Sequence, residues 1–202
     1  YRTGANIDAA FDKSDGSLDQ NRLAAEEFAV ECSACKILAT ELEAKIVDEC
    51  IQVYGGYGFT EEFPVARIYR DARVSRIYEG TNEINRIFLA DRMVRRANEG
   101  KCSLEASGDS FLNDLTGKAY KRFGKDQEVL GAISDLTLLC YAEQSARLRA
   151  AKTGELGQAA HRRFANWANA AGAAKYAELT GESVAIPAPF PQESGLLAEA
   201  VY

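Results

Sequence analysis

The chain reads as all-α, in two helical segments joined by a linker. Three observations predict this. Apolar residues recur every three or four positions through long stretches, the spacing of one helix face. Four prolines and 16 glycines in 202 residues leave few helix breakers. No segment shows the apolar–polar alternation of a half-buried strand.

Between Ser17 and Val53, the residues Leu23, Phe28, Val30, Ile37, Leu38, Leu42, Ile46, Val47, Cys50 and Ile51 fall at helical spacing, with Ser17 or Asp19 placed to cap the start. A helix of about 35 residues would be about 50 Å long and would need a large partner surface. It stops at Gly55-Gly56-Tyr57-Gly58, because glycine takes the left-handed conformation that ends helices. Glu62 to Ser75 predicts a shorter helix with Pro64 in its first turn, where proline is tolerated. Gly80 breaks the pattern again. Thr81 or Asn82 can cap a helix running to about Asn98, with Ile84, Ile87, Phe88 and Val94 as its expected buried stripe and Arg92, Arg95 and Arg96 near the end, where cations suit the dipole.

Glu99 to Gly124 shifts in composition: Gly100, Ser103, Ser107, Gly108 and Asp109 mark a linker. Helical patterns follow over about Asp126–Ala151 and Gln158–Leu179. Leu130, Ile133, Leu136, Leu139, Leu148, Phe164, Trp167 and Tyr176 are their heavier apolar residues, and Phe164 and Trp167 are expected in the core. Gly154 and Gly157 separate the two, which predicts an antiparallel hairpin. The tail after Gly181 holds three of the four prolines and is expected to be extended or loose. The expected domains are residues 1–100, a linker at 101–124, and residues 125–202.

The balance of 24 Lys+Arg against 30 Asp+Glu gives a net charge of −6, which argues against a nucleic-acid binder with a general basic surface. A hydrophobic fraction of 47% with 27% charged residues excludes global disorder. The single histidine, His161, rules out a multi-His metal site and most His-dependent triads, and its place beside Arg162 and Arg163 suggests exposure without a catalytic task. Five cysteines show no framework spacing. Cys32-x-x-Cys35 lies inside a helical pattern with nothing to complete a zinc site, so no metal is expected, and the thiols read as reduced. No run of about 18 apolar residues occurs. Tyr1-Arg2-Thr3-Gly4 has neither a start Met nor a signal-peptide pattern, so the chain reads as cut from something longer.

Two stretches carry a chemical signal. In Gln52-Val53-Tyr54-Gly55-Gly56-Tyr57-Gly58-Phe59, a helix C-cap and tight turn explain a lone G-G-x-G. The alternative is close approach of a ligand or a neighbouring subunit to side-chain-free backbone. With no strand before it, this is not a dinucleotide loop. In Ile77-Tyr78-Glu79-Gly80-Thr81-Asn82, Glu79 precedes a glycine and a helix start. Spacing alone favours a carboxylate complementing the helix dipole, worth a few tenths of a kcal/mol. The alternative is a catalytic base held in a loop. A free Glu titrates near 4.3, and burial beside apolar substrate would raise it toward useful basicity. The amides after Gly80 would face any phosphate placed there. The series Arg67, Arg70, Arg73, Arg76 reads as a solvated or salt-bridged face.

The run from Asp48 to Arg96, with D-E-C-I-Q-V-Y-G-G-Y-G-F, P-V-A-R-I-Y-R-D-A-R and I-Y-E-G-T-N-E-I-N-R in order, closely resembles the acyl-CoA dehydrogenase family. The likeness covers roughly the first half of the chain. From about Cys102 the chain looks like the extra C-terminal helical extension of the very-long-chain type, on position and composition.

The resemblance implies a partial C-terminal bundle followed by a second small helical domain. It implies an FAD enzyme that removes hydrogens from the α and β carbons of an acyl-CoA thioester in fatty-acid β-oxidation. Glu79 matches the base that takes the α-proton, while the β-hydrogen leaves as hydride to flavin N5. A carbonyl polarised by hydrogen bonds acidifies the α-carbon, and a desolvated carboxylate can then take the proton. Gly80 and Tyr78 match residues at the acyl or thioester site. Thr81 and Glu83 match FAD contacts, Glu83 standing where some members carry glutamine. Gln52, Gly55 and Gly56 match the segment that meets the adenine half of a FAD bound mainly by a neighbouring subunit. Arg70 and Asp71 read as structural.

The implied partners are an acyl-CoA, an electron-transfer flavoprotein as acceptor, and further copies in a dimer or tetramer. The implied compartment is the cytoplasm, or the mitochondrial matrix in a eukaryote. The family's N-terminal helical domain, flavin-holding β-domain and first bundle helices are not among these residues. The expectation is therefore a piece that neither holds FAD firmly nor turns over alone, with uncovered apolar stripes that favour self-association. Membrane-surface docking by the last two helices is a minor alternative, opposed by the acidic total despite a basic cluster at Lys118, Lys121, Arg122 and Lys125. The rival reading is a non-catalytic helical module for dimerisation or docking.

Overall fold

A computed structural model of the chain describes residues 1–104 and 110–190, and all regular secondary structure in them is helical. The chain divides into two units, Tyr1–Arg92 and a second beginning at Met93.

The first unit is built on α3 (Ala29–Tyr54), with α1 (Arg2–Phe11), α2 (Leu18–Glu27), α4 (Gly56–Phe59), α5 (Pro64–Ser75) and the start of α6 (Asn82–Asn98). Ser17 caps α2 by accepting from Gln20 N at 3.3 Å. The expected single helix from Ser17 to Val53 is two helices. They break at Phe28, which has φ −101° and ψ 15°, without proline or glycine to announce it. Pro64 sits in the first turn of α5, as its missing N–H allows.

The core of this unit is Val30, Ala34, Ile37 and Val47 of α3, Val65 and Ala72 of α5, and Leu89 and Ala90 of α6. Much of the expected apolar stripe is exposed instead, including Leu23, Leu42, Ile46, Ile84 and Phe88. The face of α3 turned toward α6 carries Ser33, Thr40 and Glu41, which reach Asn85, Asn82 and Arg86. Polar side chains therefore make these contacts between α3 and α6. On the outer face of α5, Arg70 pairs with Glu61.

In the second unit, α7 (Phe111–Tyr120) packs on a hairpin of α8 (Gln127–Ala150) and α9 (Gly154–Thr180). Helix α7 lies within residues 101–124, where the sequence shows a linker composition. Ser110 starts it by accepting from Asn113 N at 3.2 Å. Ser107, Gly108 and Asp109 lie outside the described residues. The hairpin is antiparallel, since His161 meets Glu143 and Lys175 meets Asp135. Asp126 caps α8 with bonds from Glu128 N and Val129 N.

Gly154 and Gly157 do not separate the helices; they belong to the first turn of α9. At Gly157 an added Cβ would stand 1.8 Å from Thr153 Oγ1. Leu112, Leu115, Ile133 and Leu136 are fully buried; Gly172 of α9 lies against Leu112, Leu115 and Leu136, and Ala165 and Ala168 of the same helix are buried too. Trp167 is therefore exposed and Phe164 only half-buried, contrary to expectation, because the small residues of α9 are the ones that admit α7 and α8. His161 is not exposed either: its ring lies against Glu143 with a side chain only 11% accessible. Beyond Gly181, residues 182–190 form no regular element, and Phe190 is tied to the Asn166 amide by bonds of 2.8 and 3.1 Å. Residues 191–202, with the last proline, lie outside the described residues.

Candidate functional site

The loop from α5 to α6 places Tyr78, Glu79, Gly80 and Thr81 in sequence at the start of α6. Helix α5 ends as Ile77 N and Tyr78 N both reach Val74 O, and Asn82 N returns to Arg76 O at 3.1 Å, closing the loop. Two consecutive residues then take left-handed backbone: Glu79 at φ +54° and Gly80 at φ +82°. For a glutamate that conformation costs about 1–2 kcal/mol. Among the described residues, Glu79 alone of the non-glycines has positive φ. Such strain persists where the surroundings over-determine it, and functional sites are where it concentrates.

The surroundings here are polar and dense. The Gly80 carbonyl accepts from Lys36 Nζ at 2.9 Å and from Asn85 Nδ2 at 2.8 Å. Asn85 Nδ2 also donates to Thr81 O at 3.1 Å. Lys36 Nζ donates to Asn82 Oδ1 at 2.6 Å, and Asn82 Nδ2 donates to Thr40 Oγ1 at 3.0 Å and Glu41 Oε1 at 3.3 Å. Asn82 is 2% exposed, so its amide has only protein partners to satisfy it. Arg86 grips Glu41 through both oxygens, at 2.7 and 3.0 Å. Burial would raise the Glu41 pKa, but the Arg86 hydrogen bonds and charge and the Asn82 amide outweigh it and hold the carboxyl below its ordinary range.

Lys36, Thr40, Glu41 and Asn85 were not legible as site residues. They lie on α3 and one turn into α6, more than 40 positions apart in the case of Lys36 and Gly80, and no local pattern links them. Asn82 was visible only as a cap.

Of the expected residues, Tyr78, Glu79, Gly80 and Glu83 are exposed and Thr81 is half-buried. No described residue holds the Glu79 carboxylate by a hydrogen bond or ion pair. Thr81 Oγ1 accepts from Ile84 N at 3.2 Å, which caps α6. The Glu83 carboxyl is held below its ordinary range by its own backbone N–H and then by the Thr81 hydroxyl. Gly80 is accounted for by the fold: its φ is positive and an added Cβ would meet Asn85 Nδ2 at 3.0 Å.

At the far end of α3, Gly55 N bonds Gln52 O at 3.2 Å, and Gly55 takes φ 60° and ψ −141°, a region essentially reserved for glycine. Gly58 is enforced by packing, since a Cβ there would meet Ile51 O at 2.8 Å. Gly56 is different. Its φ is ordinary and nothing lies within 4 Å of an added Cβ, so nothing described in the chain requires glycine there. Gln52, Gly55 and Gly56 are exposed, and an open backbone edge of this kind suits a flat ring or a second chain.

The structure does not bring the two groups together. The 18-residue rise of α3 from Lys36 to Tyr54 puts about 27 Å between the Gly80 clamp and the Gly55 turn. A groove of about 360 Å³ between α3 and α5, lined by Glu41, Lys45, Asp48, Tyr69, Arg73 and Arg76 among others, contains none of the expected site residues. None of the five cysteines forms a disulfide, and no cluster of potential metal ligands occurs among the described residues. No described helix is long and apolar enough to cross a membrane.

Residues 17–94, which carry both groups, match the family model described as acyl-CoA dehydrogenase, C-terminal domain. The chain belongs to the acyl-CoA dehydrogenase family. It is similar to a probable acyl-CoA dehydrogenase of Bacillus subtilis (strain 168), 34% identical across 62% of this chain and 27% of that protein. It is 36% identical to the mitochondrial very long-chain specific acyl-CoA dehydrogenase of Homo sapiens, across 70% of this chain and 21% of that one. A crystal structure of an acyl-CoA dehydrogenase complexed with FAD from Bacillus anthracis superposes with a TM-score of 0.78 at 29% identity, covering 89% of this chain and 38% of that one. The chain thus spans about a fifth to a quarter of the two curated relatives. The 70% aligned with the very-long-chain enzyme exceeds the 92 residues of the first unit, so that likeness continues into the second.

Proposed function

We propose that this chain forms the C-terminal part of an FAD-dependent acyl-CoA dehydrogenase, with Glu79 as the base that removes the α-proton of the thioester substrate. The observation that carries this is the backbone of Glu79. A glutamate in left-handed conformation, on a loop pinned from α3 and α6, with a carboxylate that no described residue engages, is what a presented base requires. The loop fixes the Glu79 backbone, and water exclusion by the substrate would strengthen the carboxylate as a base. The α-proton moves to a Glu79 carboxylate oxygen. Tyr78 and Gly80 flank that point and would line the thioester.

Bound FAD would supply the acceptor for the β-hydrogen, taken as hydride at N5. Thr81 and Glu83 would hold it at the start of α6, and Gln52, Gly55 and Gly56 would meet its adenine half. The open edge at Gly56 fits that role. The separation of about 27 Å along α3 supports a contact made to the FAD of another copy in a homo-oligomer. An electron-transfer flavoprotein would reoxidise the enzyme, in the cytoplasm or a mitochondrial matrix, as a step of fatty-acid β-oxidation. By itself the 202-residue chain would neither retain FAD firmly nor turn over.

The test uses the flavin-loaded protein that carries this chain. Acyl-CoAs of several lengths are added without oxygen and flavin bleaching is followed, wild type against Glu79→Gln. Rapid bleaching that the substitution abolishes is the expected result. A wild-type flavin that stays oxidised with every acyl-CoA overturns the assignment and leaves a non-catalytic assembly module.

A further inference from the structure

We infer that Lys36 is a positioning residue for the Glu79 loop, acting with Asn85 through the Gly80 carbonyl. The inference rests on the reading of Glu79 as base and goes beyond it. Two adjacent left-handed residues form no helical or strand ladder of their own, so side chains must take over the hydrogen bonds that would otherwise fix the loop. The Gly80 carbonyl is where that happens, with Lys36 Nζ at 2.9 Å and Asn85 Nδ2 at 2.8 Å. Asn85 belongs to the helix that the loop enters. Lys36 comes from α3, and it ties the loop to the central helix of the unit.

The Lys36 ammonium is itself aimed. Its second bond, 2.6 Å to Asn82 Oδ1, ends on an amide that is 2% exposed and anchored to Thr40 and Glu41. The Glu41–Arg86 pair then locks the same stretch of α3 to α6. The Lys36 rotamer is therefore over-determined, as a rigid support for a reacting group should be. With the Gly80 carbonyl fixed and Asn82 N bonded to Arg76 O, the loop closes with Glu79 at φ +54°. Replacing Lys36 by Met leaves the Asn85 bond and the Asn82–Thr40 pair in place, so the loop stays closed but its Gly80 carbonyl loses the link to α3.

The experiment uses the flavin-loaded protein with Lys36→Met, Lys36→Arg and Glu79→Gln. Because a displacement of about 1 Å at a reacting group costs on the order of 100-fold, Lys36→Met is expected to lower kcat about 100-fold with KM within about threefold, and Lys36→Arg to regain about tenfold. Flavin content should stay at the wild-type level, and amide hydrogen exchange at residues 79–81 should speed up in Lys36→Met. If Lys36→Met does not fold, Asn85→Ala removes the other donor to the same carbonyl and should lower kcat without raising KM.

Glu79→Gln inactive with Lys36→Met at wild-type kcat overturns the positioning role alone. Glu79→Gln at wild-type kcat overturns the base and the positioning role together. Unchanged exchange at residues 79–81, or activity lost only in proportion to flavin, makes Lys36 merely structural and also overturns the inference.

Discussion

His161 and Glu143 face each other across the α8–α9 hairpin, with Nε2 2.9 Å from Oε1 and each side chain 11% accessible. Removing the ring would leave a carboxylate shielded from water without its partner, which is costlier than the net worth of the bond. His161→Ala is expected to destabilise the chain by about 2–3 kcal/mol in urea unfolding. Glu143→Gln with His161→Gln, which keeps shape and polarity on both sides, should cost less than His161→Ala alone. Equal midpoints for His161→Ala and wild type would show that the pair contributes nothing.

Gly172 and Gly131 should respond to alanine with opposite signs. An added Cβ at Gly172 would meet Leu112 Cδ2 at 2.5 Å, and Leu112 is 1% exposed, so the core must shift. Overpacking of that kind costs about 1–3 kcal/mol, more than the helix preference of alanine returns. Gly131 lies inside α8 with nothing within 4 Å, so Gly131→Ala should stabilise by about 0.5–1 kcal/mol. Thermal melts of the two variants decide the point.

Gly56→Ala separates folding from ligand contact. Nothing described in the chain opposes a Cβ there, so the unfolding midpoint should not fall. If the adenine half of a FAD packs against this edge, the flavin-loaded protein carrying Gly56→Ala should retain less flavin on dialysis than wild type. Full retention would exclude close approach at this backbone. Gly80→Ala should differ, losing about 1–2 kcal/mol because its φ is positive.

Stability should fall on acidification through Glu41. Its carboxyl is held below its ordinary value of 4.5, since Arg86 and Asn82 outweigh burial. The folded state therefore binds the proton less readily than the unfolded chain. The stabilisation is full at pH above that ordinary value and is lost as pH drops through the lower folded pKa. Glu41→Gln should flatten the pH dependence below the ordinary value of 4.5, read from urea midpoints, while lowering stability at neutral pH. An unchanged slope would assign the acid sensitivity to other carboxyls.

The helices were legible because spacing, caps and breakers are local. Ser17, Pro64, Asp126 and Gly181 mark boundaries that the structure keeps. The break at Phe28 was not legible, since a non-glycine, non-proline residue makes it. The orientation of helix faces was also misread. Ile84 and Phe88 have the spacing of a buried stripe yet are exposed, while buried Asn82, at the opening of the same helix, carries the contacts to α3. Periodicity finds the apolar face of a helix but not which face a neighbour will choose. The Ile77–Arg86 motif pointed to Glu79, but nothing near it in sequence announced Lys36.

By itself, then, the sequence determined the all-α class, several helix boundaries and the family, because periodicity and contiguous motifs are properties of short stretches of chain. Tertiary structure decided the rest: that polar groups join α3 to α6, that Glu79 takes a left-handed backbone, and that His161 is shielded against Glu143. Each of these depends on residues between 18 and 52 positions apart in sequence meeting in space. Only the closing of the fold creates such meetings.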